Sequence, residues 1–416
     1  MRFIADLHIH SKYSRATSQD MDLEHITEWA QYKGLGLLGS GDFTHPDWLK
    51  ELRFKLESKD NGIYHYRGVD FMLTAEVCNL FTKDGKSRKI HNMIFAPSFE
   101  VVEQINRQLK RHADLSMDGR PIVNLYASRL VELVMGISPD CLVIPAHIWT
   151  PHFSLFGANF GFNSLEECYE DQAENIHVLE TGLSSDPAMN WRLSELDRHS
   201  LISNSDAHSP SKLGREANVF DCDMDYKTIC QALKRQDISR LLYTIEYLPE
   251  EGKYFHDGHR KCLSRLTPKE ARDGGNDCPV CGKKLTIGVM HRIEELSDRP
   301  PGIKPANAIP FRHLVPLEEI IAMAFGLGTG TQTVLHEYHQ LVKAFGNEFT
   351  VLLEATKAEL NEVTNNKVAD GIVRVRQGKV TITPGYDGEY GKLNIFDGDR
   401  RQSHKTNEPE EQLEIF

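Results

Sequence analysis

The sequence predicts an α/β chain: a sheet closed into a (β/α)7-like barrel, then a small cysteine-containing ribbon, then a helical C-terminal module. Three observations carry that prediction. Before residue 252, short apolar runs alternate with amphipathic stretches about seven times, the pattern of repeated β/α units. Residues 253–303 are dense in turn formers and basic side chains and poor in apolar ones. From residue 304 the apolar positions recur mainly at helical spacing.

The expected strands are residues 3–10, 34–40, 70–77, 90–96, 141–147, 176–181 and 201–206. The stretch DLEHITEWAQYKG places Leu23, Ile26, Trp29, Ala30 and Tyr32 near helical spacing, with Gly34 as a stop. Such β/α alternation predicts a parallel sheet, and closure is the simplest way to finish one. Residues 314–360 read as two or three helices, including PLEEIIAMAF and TVLHEYHQLVKAF. The period-2 stretches IVRVRQGKVTIT and YGKLNIF then predict a terminal hairpin, and residues 397–416 read as a polar, flexible tail. The division expected is 1–252, 253–303, 304–396 and 397–416.

With 416 residues and 40% hydrophobic content, two or three domains can each bury a core. No run of 18 apolar residues occurs, and the first residues lack the pattern of a secretory signal, which predicts a cytoplasmic protein with reduced cysteines. Cys78, Cys141, Cys168, Cys222 and Cys230 stand apart from one another and read as inert core residues. The net charge of −12 argues against a generic nucleic-acid coat. It conceals an asymmetry, because residues 253–313 hold twelve Lys or Arg against seven Asp or Glu. A basic module on an acidic carrier is the implication.

Within FIADLHIHSKYSR, strand alternation puts Asp6, His8 and His10 on one face and Ala5, Leu7 and Ile9 on the other. Asp42 closes the second predicted strand, Glu76 the third, and His91 opens the fourth. His147 ends VIPAHIW, and Asp206 and His208 end LISNSDAH. Carboxyl ends of barrel strands converge on one face, so these eight residues are predicted to share a rim. Imidazoles with bridging carboxylates bind zinc, manganese or iron, and adjacent ions can clamp a phosphate. Asp206, Glu76, His8 and His10 are the expected catalytic core. His45 and His152 read as structural or substrate-side neighbours.

DLHIHSKYS, AEV, PAHIWTP and SNSDAHS, in this order, resemble the PHP family of metal-dependent phosphoesterases over roughly residues 1–240. The resemblance implies a PHP-type barrel with a trinuclear site. His8, His10, Glu76 and Asp206 would hold one metal; Glu76, His91 and His147 a second; Asp42 with His208 a third. The family often has Thr-Asp-His at the second strand end, where this chain has Gly41-Asp42-Phe43.

His259-x2-Cys262-x15-Cys278-x2-Cys281 is two paired-ligand knuckles at zinc-ribbon spacing, with His256 as a competing fourth ligand. A closed Cys3His set is structural rather than catalytic, and it supplies the folding free energy that a core-poor segment lacks. Zinc is therefore expected in the ribbon and in the barrel, with manganese or magnesium as alternatives at the rim. GLGTGT reads either as a tight helical turn or as a turn resembling a helix-hairpin-helix, whose N–H groups meet a DNA phosphate. Lys283, Lys284, Arg292, Arg299, Lys304 and Arg312 read as a solvated face or as phosphate contacts.

Barrel, HRKC…CPVC, LTIGVMHRIEELSDRP, GLGTGT and PGYDGEYG, in that order, resemble the endonuclease Q family to about residue 397. That resemblance implies DNA repair by nicking 5′ to deaminated bases (uracil, hypoxanthine, xanthine) and abasic sites. Asn204, on the strand face of Asp206, is then either an amide that reads the altered base or a structural one. QLEIF, with Gln412, Leu413, Ile415 and Phe416, resembles the peptide that grips the DNA sliding clamp. Two rival classes remain: a small-molecule phosphoesterase resembling histidinol phosphatase, and a noncatalytic DNA-binding scaffold.

Overall fold

The computed structural model describes residues 1–396, so the QLEIF peptide lies outside the described residues. The central sheet is mixed rather than all-parallel. The first strand, Arg2–Asp6, runs parallel to Leu37–Gly39 and antiparallel to Ala217–Asp221. Leu37–Gly39 is parallel to Val69–Lys83, which forms a long antiparallel ladder with Lys86–Ala96; this in turn pairs antiparallel with Leu142–Pro145. The parallel expectation fails at the ladder because Asp84 and Gly85 both have positive φ, the tight two-residue turn that joins antiparallel strands.

Beyond Leu142–Pro145, Ile148 N–H donates to Glu180 O at 3.0 Å. Val178–Glu180 is parallel to Ser200–Ile202, and a parallel bridge joins Ile9 to Ala207 beside the first strand. Ala5, Leu7, Met72, Met93, Phe95, Ile144, Val178 and Ile202 of these strands pack with Tyr226, Ile229 and Leu233 of the helix Tyr226–Lys234 into one buried cluster. A second, larger cluster carries Leu23, Ile26 and Ala30 of the helix Leu23–Lys33, ended by Gly34 in the left-handed region.

Residues 257–296 hold two short strands and the helices Pro268–Asp273 and Val289–Leu296. Their own cluster is small: Ala271, Cys278 and Leu285, flanked by Cys262 and Leu266. Five helices follow between Leu317 and Arg376. The stretch GIVRVR is helical, not the first arm of a hairpin. Asn365 caps Asn366–Arg376 by accepting from Lys367 N and Val368 N, and Val368, Ile372 and Val375 recur at helical spacing into the core. The hairpin is confined to Thr381–Thr383 and Lys392–Asn394. A buried pair, Lys33 Nζ to Glu348 Oε2 at 2.6 Å, ties this helical segment to the first helix. No helix among the described residues is long and apolar enough to cross a membrane.

Candidate metal centre

The first strand ends at Asp6, short of the expected His10, and the segment that continues it to the Ile9–Ala207 bridge carries His8 and His10. Glu76 and His91 lie inside Val69–Lys83 and Lys86–Ala96 rather than at strand ends. His8, His10, Glu76 and Asp206 bring one ligand atom each within 4.8 Å of one another. His10 Nε2 lies 3.0 Å from Asp206 Oδ1 and 3.2 Å from Glu76 Oε2. His8 Nε2 lies 3.5 Å from the same Glu76 oxygen and 3.7 Å from the same Asp206 oxygen. The other oxygen of Glu76, Oε1, faces a second group, 2.7 Å from His91 Nδ1 and 3.0 Å from His147 Nε2. Glu76 thus divides its two oxygens between two adjoining clusters, as a bridging carboxylate does.

The donor set fits divalent cations. His8 Nε2, His10 Nε2 and Asp206 Oδ1 are buried and have no hydrogen-bond partner, a costly state unless something else satisfies them. Each of the two imidazoles is held from behind. His8 Nδ1 meets both oxygens of Glu180 at 3.0 Å, and His10 Nδ1 meets Asp42 Oδ1 at 3.0 Å. A carboxylate on the far nitrogen fixes ring orientation and makes the near nitrogen a better ligand. Burial pushes the His8 and His10 imidazoles down, but Glu180 and Glu76 around His8, and Asp42 around His10, outweigh it and raise both. Against the same penalty of burial, the neighbouring histidines hold Glu76 and Asp206 below the ordinary carboxylate range. Metal binding therefore competes with protons on the imidazoles.

Backbone strain collects here. Asp42, His147 and Asp206 all have positive φ, at 47°, 32° and 48°. Asp6 is not part of the cluster. Its oxygens accept from Ser205 N at 3.1 Å and Gly214 N at 2.9 Å, which ties the first strand to the segment carrying Asp206 and His208. Asp42 sits behind His10, accepting also from Ser11 N at 2.6 Å and Ser14 Oγ at 2.9 Å. His208 stands on the other side of His10, ring centroids 4.6 Å apart, with Nδ1 donating to Asp206 O at 2.8 Å. The structure does not bring Asp42 and His208 into one ligand group of the described residues. His45 stacks on Tyr13 at 4.4 Å and bonds Ser116 O, away from the cluster.

Two site residues escaped the sequence reading. Glu180 lies on an expected strand, and besides His8 it accepts from His147 N at 2.9 Å and Asn204 Nδ2 at 2.8 Å. Arg120, from the DGRP turn, reaches Glu76 Oε2 at 3.2 Å.

Of the two roles open to Asn204, its surroundings fit the structural amide. It is fully buried, and its oxygen accepts from Leu7 N and Asn218 Nδ2 while its nitrogen holds Glu180. Arg292 is likewise no free phosphate contact. Its guanidinium donates to Phe156 O, Phe162 O and Asn163 Oδ1 and pairs with Glu295. Arg299 is paired with Asp197. Lys283, Lys284 and Arg312 remain on the surface, with Lys284 beside Asp277 at 2.9 Å and Arg312 over the Tyr243 ring at 4.6 Å.

The second cluster gathers His259, Cys262, Cys278 and Cys281, ligand atoms again within 4.8 Å, and leaves His256 out. Burial pushes the Cys278 thiol up, but the Ser264 hydroxyl, the N–H groups of Val280 and Cys281 and His259 bring it down to about 6. A thiolate at neutral pH is the form that binds metal.

Residues 316–379 match the family model described as the MJ0043 C-terminal domain. The chain is 31% identical to the uncharacterized protein YqxK of Bacillus subtilis over 413 residues, 94% of this chain and 99% of that one. It is 35% identical to the uncharacterized protein MJ0043 of Methanocaldococcus jannaschii over 258 residues, 59% of this chain and 31% of that one. The crystal structure of the lesion-specific endonuclease PfuEndoQ of Pyrococcus furiosus superposes with a TM-score of 0.86 at 34% identity, covering 95% of this chain and 96% of that one. Endonuclease Q complexed with a 27-mer duplex substrate, an abasic lesion at its active site, superposes with a TM-score of 0.86 at 33% identity over 97% and 98% of the two chains.

Proposed function

The chain belongs to the endonuclease Q family, and from that membership we propose that it is a metal-dependent DNA repair endonuclease that cleaves on the 5′ side of a lesion. Abasic sites and the deaminated bases uracil, hypoxanthine and xanthine are its substrates. One observation supports the chemistry above all others: the unpartnered, buried Nε2 atoms of His8 and His10 and Oδ1 of Asp206, converging beside a Glu76 shared with His91 and His147.

In this reading His8, His10, Glu76 and Asp206 would hold one cation, and Glu76, His91 and His147 would hold another. Zinc, manganese or magnesium bound there supplies Lewis acidity at the scissile phosphate and lowers the pKa of water. The protein's own part is positional. Glu180 and Asp42 lock the imidazoles. A water oxygen attacks phosphorus, the bond to the 3′ oxygen breaks, and that oxygen takes a proton. The products are a 3′-hydroxyl and a 5′-phosphate on the lesion side. A target nucleotide leaves the base stack before it is read. The ring of strand contacts from Arg2–Asp6 round to the Ile9–Ala207 bridge supports a PHP-type barrel as the frame.

A structural zinc on His259, Cys262, Cys278 and Cys281 steadies the module 253–303. Lys283, Lys284 and Arg312 contact phosphates, and the turn at 326–331 offers open backbone at Gly328 and Gly330. Gln412, Leu413, Ile415 and Phe416 engage the sliding clamp, which raises the enzyme's effective concentration on DNA.

The test is direct: incubate the protein and manganese with a labelled duplex carrying one deoxyuridine. A nick immediately 5′ to the lesion is expected. Phosphate release from histidinol phosphate without nicking would replace this reading with the small-molecule phosphoesterase, and salt-sensitive binding without either activity would replace it with the scaffold.

A further inference from the structure

Among the described residues, Arg120 is the one Arg or Lys whose side chain pairs with a rim carboxylate, and its loop is built to put it there. Its Nη1 lies 3.2 Å from Glu76 Oε2, the same oxygen that faces His8 and His10 Nε2, and its side chain is 26% exposed. The segment before it is stitched to the loops that carry the site. Gly119 N donates to Tyr13 O at 3.0 Å, and Thr44 Oγ1 donates to Gly119 O at 2.9 Å. Asp118 Oδ1 accepts from Arg15 N at 3.3 Å and Arg120 N at 3.1 Å. Immediately after it, Pro121 O accepts from Cys78 N at 3.0 Å, on the strand that carries Glu76. Gly119 admits no side chain, since a Cβ there would stand 2.3 Å from Asp42 Oδ2 and 2.4 Å from Ser14 Oγ.

A guanidinium has five donors in a rigid fork and is never a metal ligand. Glu76 Oε2, a ligand atom in the reading above, engages this guanidinium only through Nη1, so the rest of the fork, 26% exposed at the rim, is open to an anion. We propose that Arg120 is a catalytic residue that donates to a nonbridging oxygen of the scissile phosphate, countering the charge that builds there as the bond to the 3′ oxygen breaks. The proposal rests on the reading that the rim takes a phosphate ester.

The experiment compares wild type, Arg120→Lys and Arg120→Gln, each loaded with manganese and assayed for metal content by mass spectrometry. Calorimetry with inorganic phosphate as the probe should show affinity about 10- to 100-fold weaker in Arg120→Gln and intermediate in Arg120→Lys, with metal content unchanged. On lesion duplexes with a single scissile phosphorothioate, one diastereomer should slow the wild type, and that penalty should shrink in Arg120→Gln. Unchanged phosphate affinity with an unchanged sulfur penalty would overturn the proposal, and so would loss of metal from Arg120→Gln, because Arg120 would then serve only to balance Glu76. If wild type fails to nick any lesion duplex but phosphate affinity falls as stated, the endonuclease reading is wrong and the role of Arg120 stands.

Discussion

His8 turns Nδ1 to Glu180, at 3.0 Å from both carboxylate oxygens, and thereby aims an unpartnered Nε2 at Glu76 and Asp206. Support from behind is what separates a ligand from a core histidine. Glu180→Gln keeps the size of the side chain but removes the charge that raises ligand basicity, and its single acceptor oxygen can take only one of the donors His147 N and Asn204 Nδ2. Metal affinity measured against a competing chelator should weaken about 10- to 100-fold. Equal affinity in variant and wild type would show that the pairing is incidental.

The ribbon's own apolar cluster is three residues, flanked by Cys262 and Leu266, far short of an independent core. Phe255, Val289 and Ile293 pack into the main core, and in the proposed reading a metal on His259, Cys262, Cys278 and Cys281 supplies the rest. Cys281→Ser, which removes an exposed ligand, should open residues 253–303 to limited proteolysis while the first 252 residues stay resistant. A ribbon as resistant as that of the wild type would contradict a structural metal there.

Burial, with Glu319 nearby, pushes the Glu251 carboxyl up to about 8, and Glu251 Oε1 has no hydrogen-bond partner. A carboxyl raised in the folded state binds its proton more tightly there than in the unfolded chain. Its contribution is therefore complete below the ordinary value of 4.5 and is lost as pH rises through about 8. Chemical denaturation of the wild type should show stability falling across that window by a few kcal/mol. Glu251→Gln should flatten the fall, and an unaltered slope would remove Glu251 as its source.

The rim was legible in the sequence because two periodicities coincide. Alternation sets His8 and His10 on one face, and His147 and Asp206 follow strand ends, whereas Glu76 meets them from the middle of Val69–Lys83. Glu180 was not, because its role is fixed by an imidazole 172 residues away and its own strand, VLE, shows nothing but burial. Arg120 was hidden in a turn whose path depends on Tyr13, Thr44 and Cys78. The antiparallel ladder had a signal that went unused, the Asp84-Gly85 turn between two β-rich runs. GIVRVR alternates as a strand does, and packing with an Asn365 cap overrode that pattern. Asn204 shares the strand face of Asp206, but that face there points into a network of Leu7, Glu180 and Asn218 rather than into the site.

Backbone hydrolysis by cations gathered at the rim requires Asp206, whose Oδ1 has no hydrogen-bond partner to lose on substitution. The measurement is single-turnover nicking of a duplex with one abasic site, wild type beside Asp206→Asn, with DNA affinity recorded for both. A rate at least about 100-fold lower is expected in the variant, with affinity within a few-fold of wild type. An Asp206→Asn protein that nicks the abasic duplex at close to the wild-type rate would contradict it.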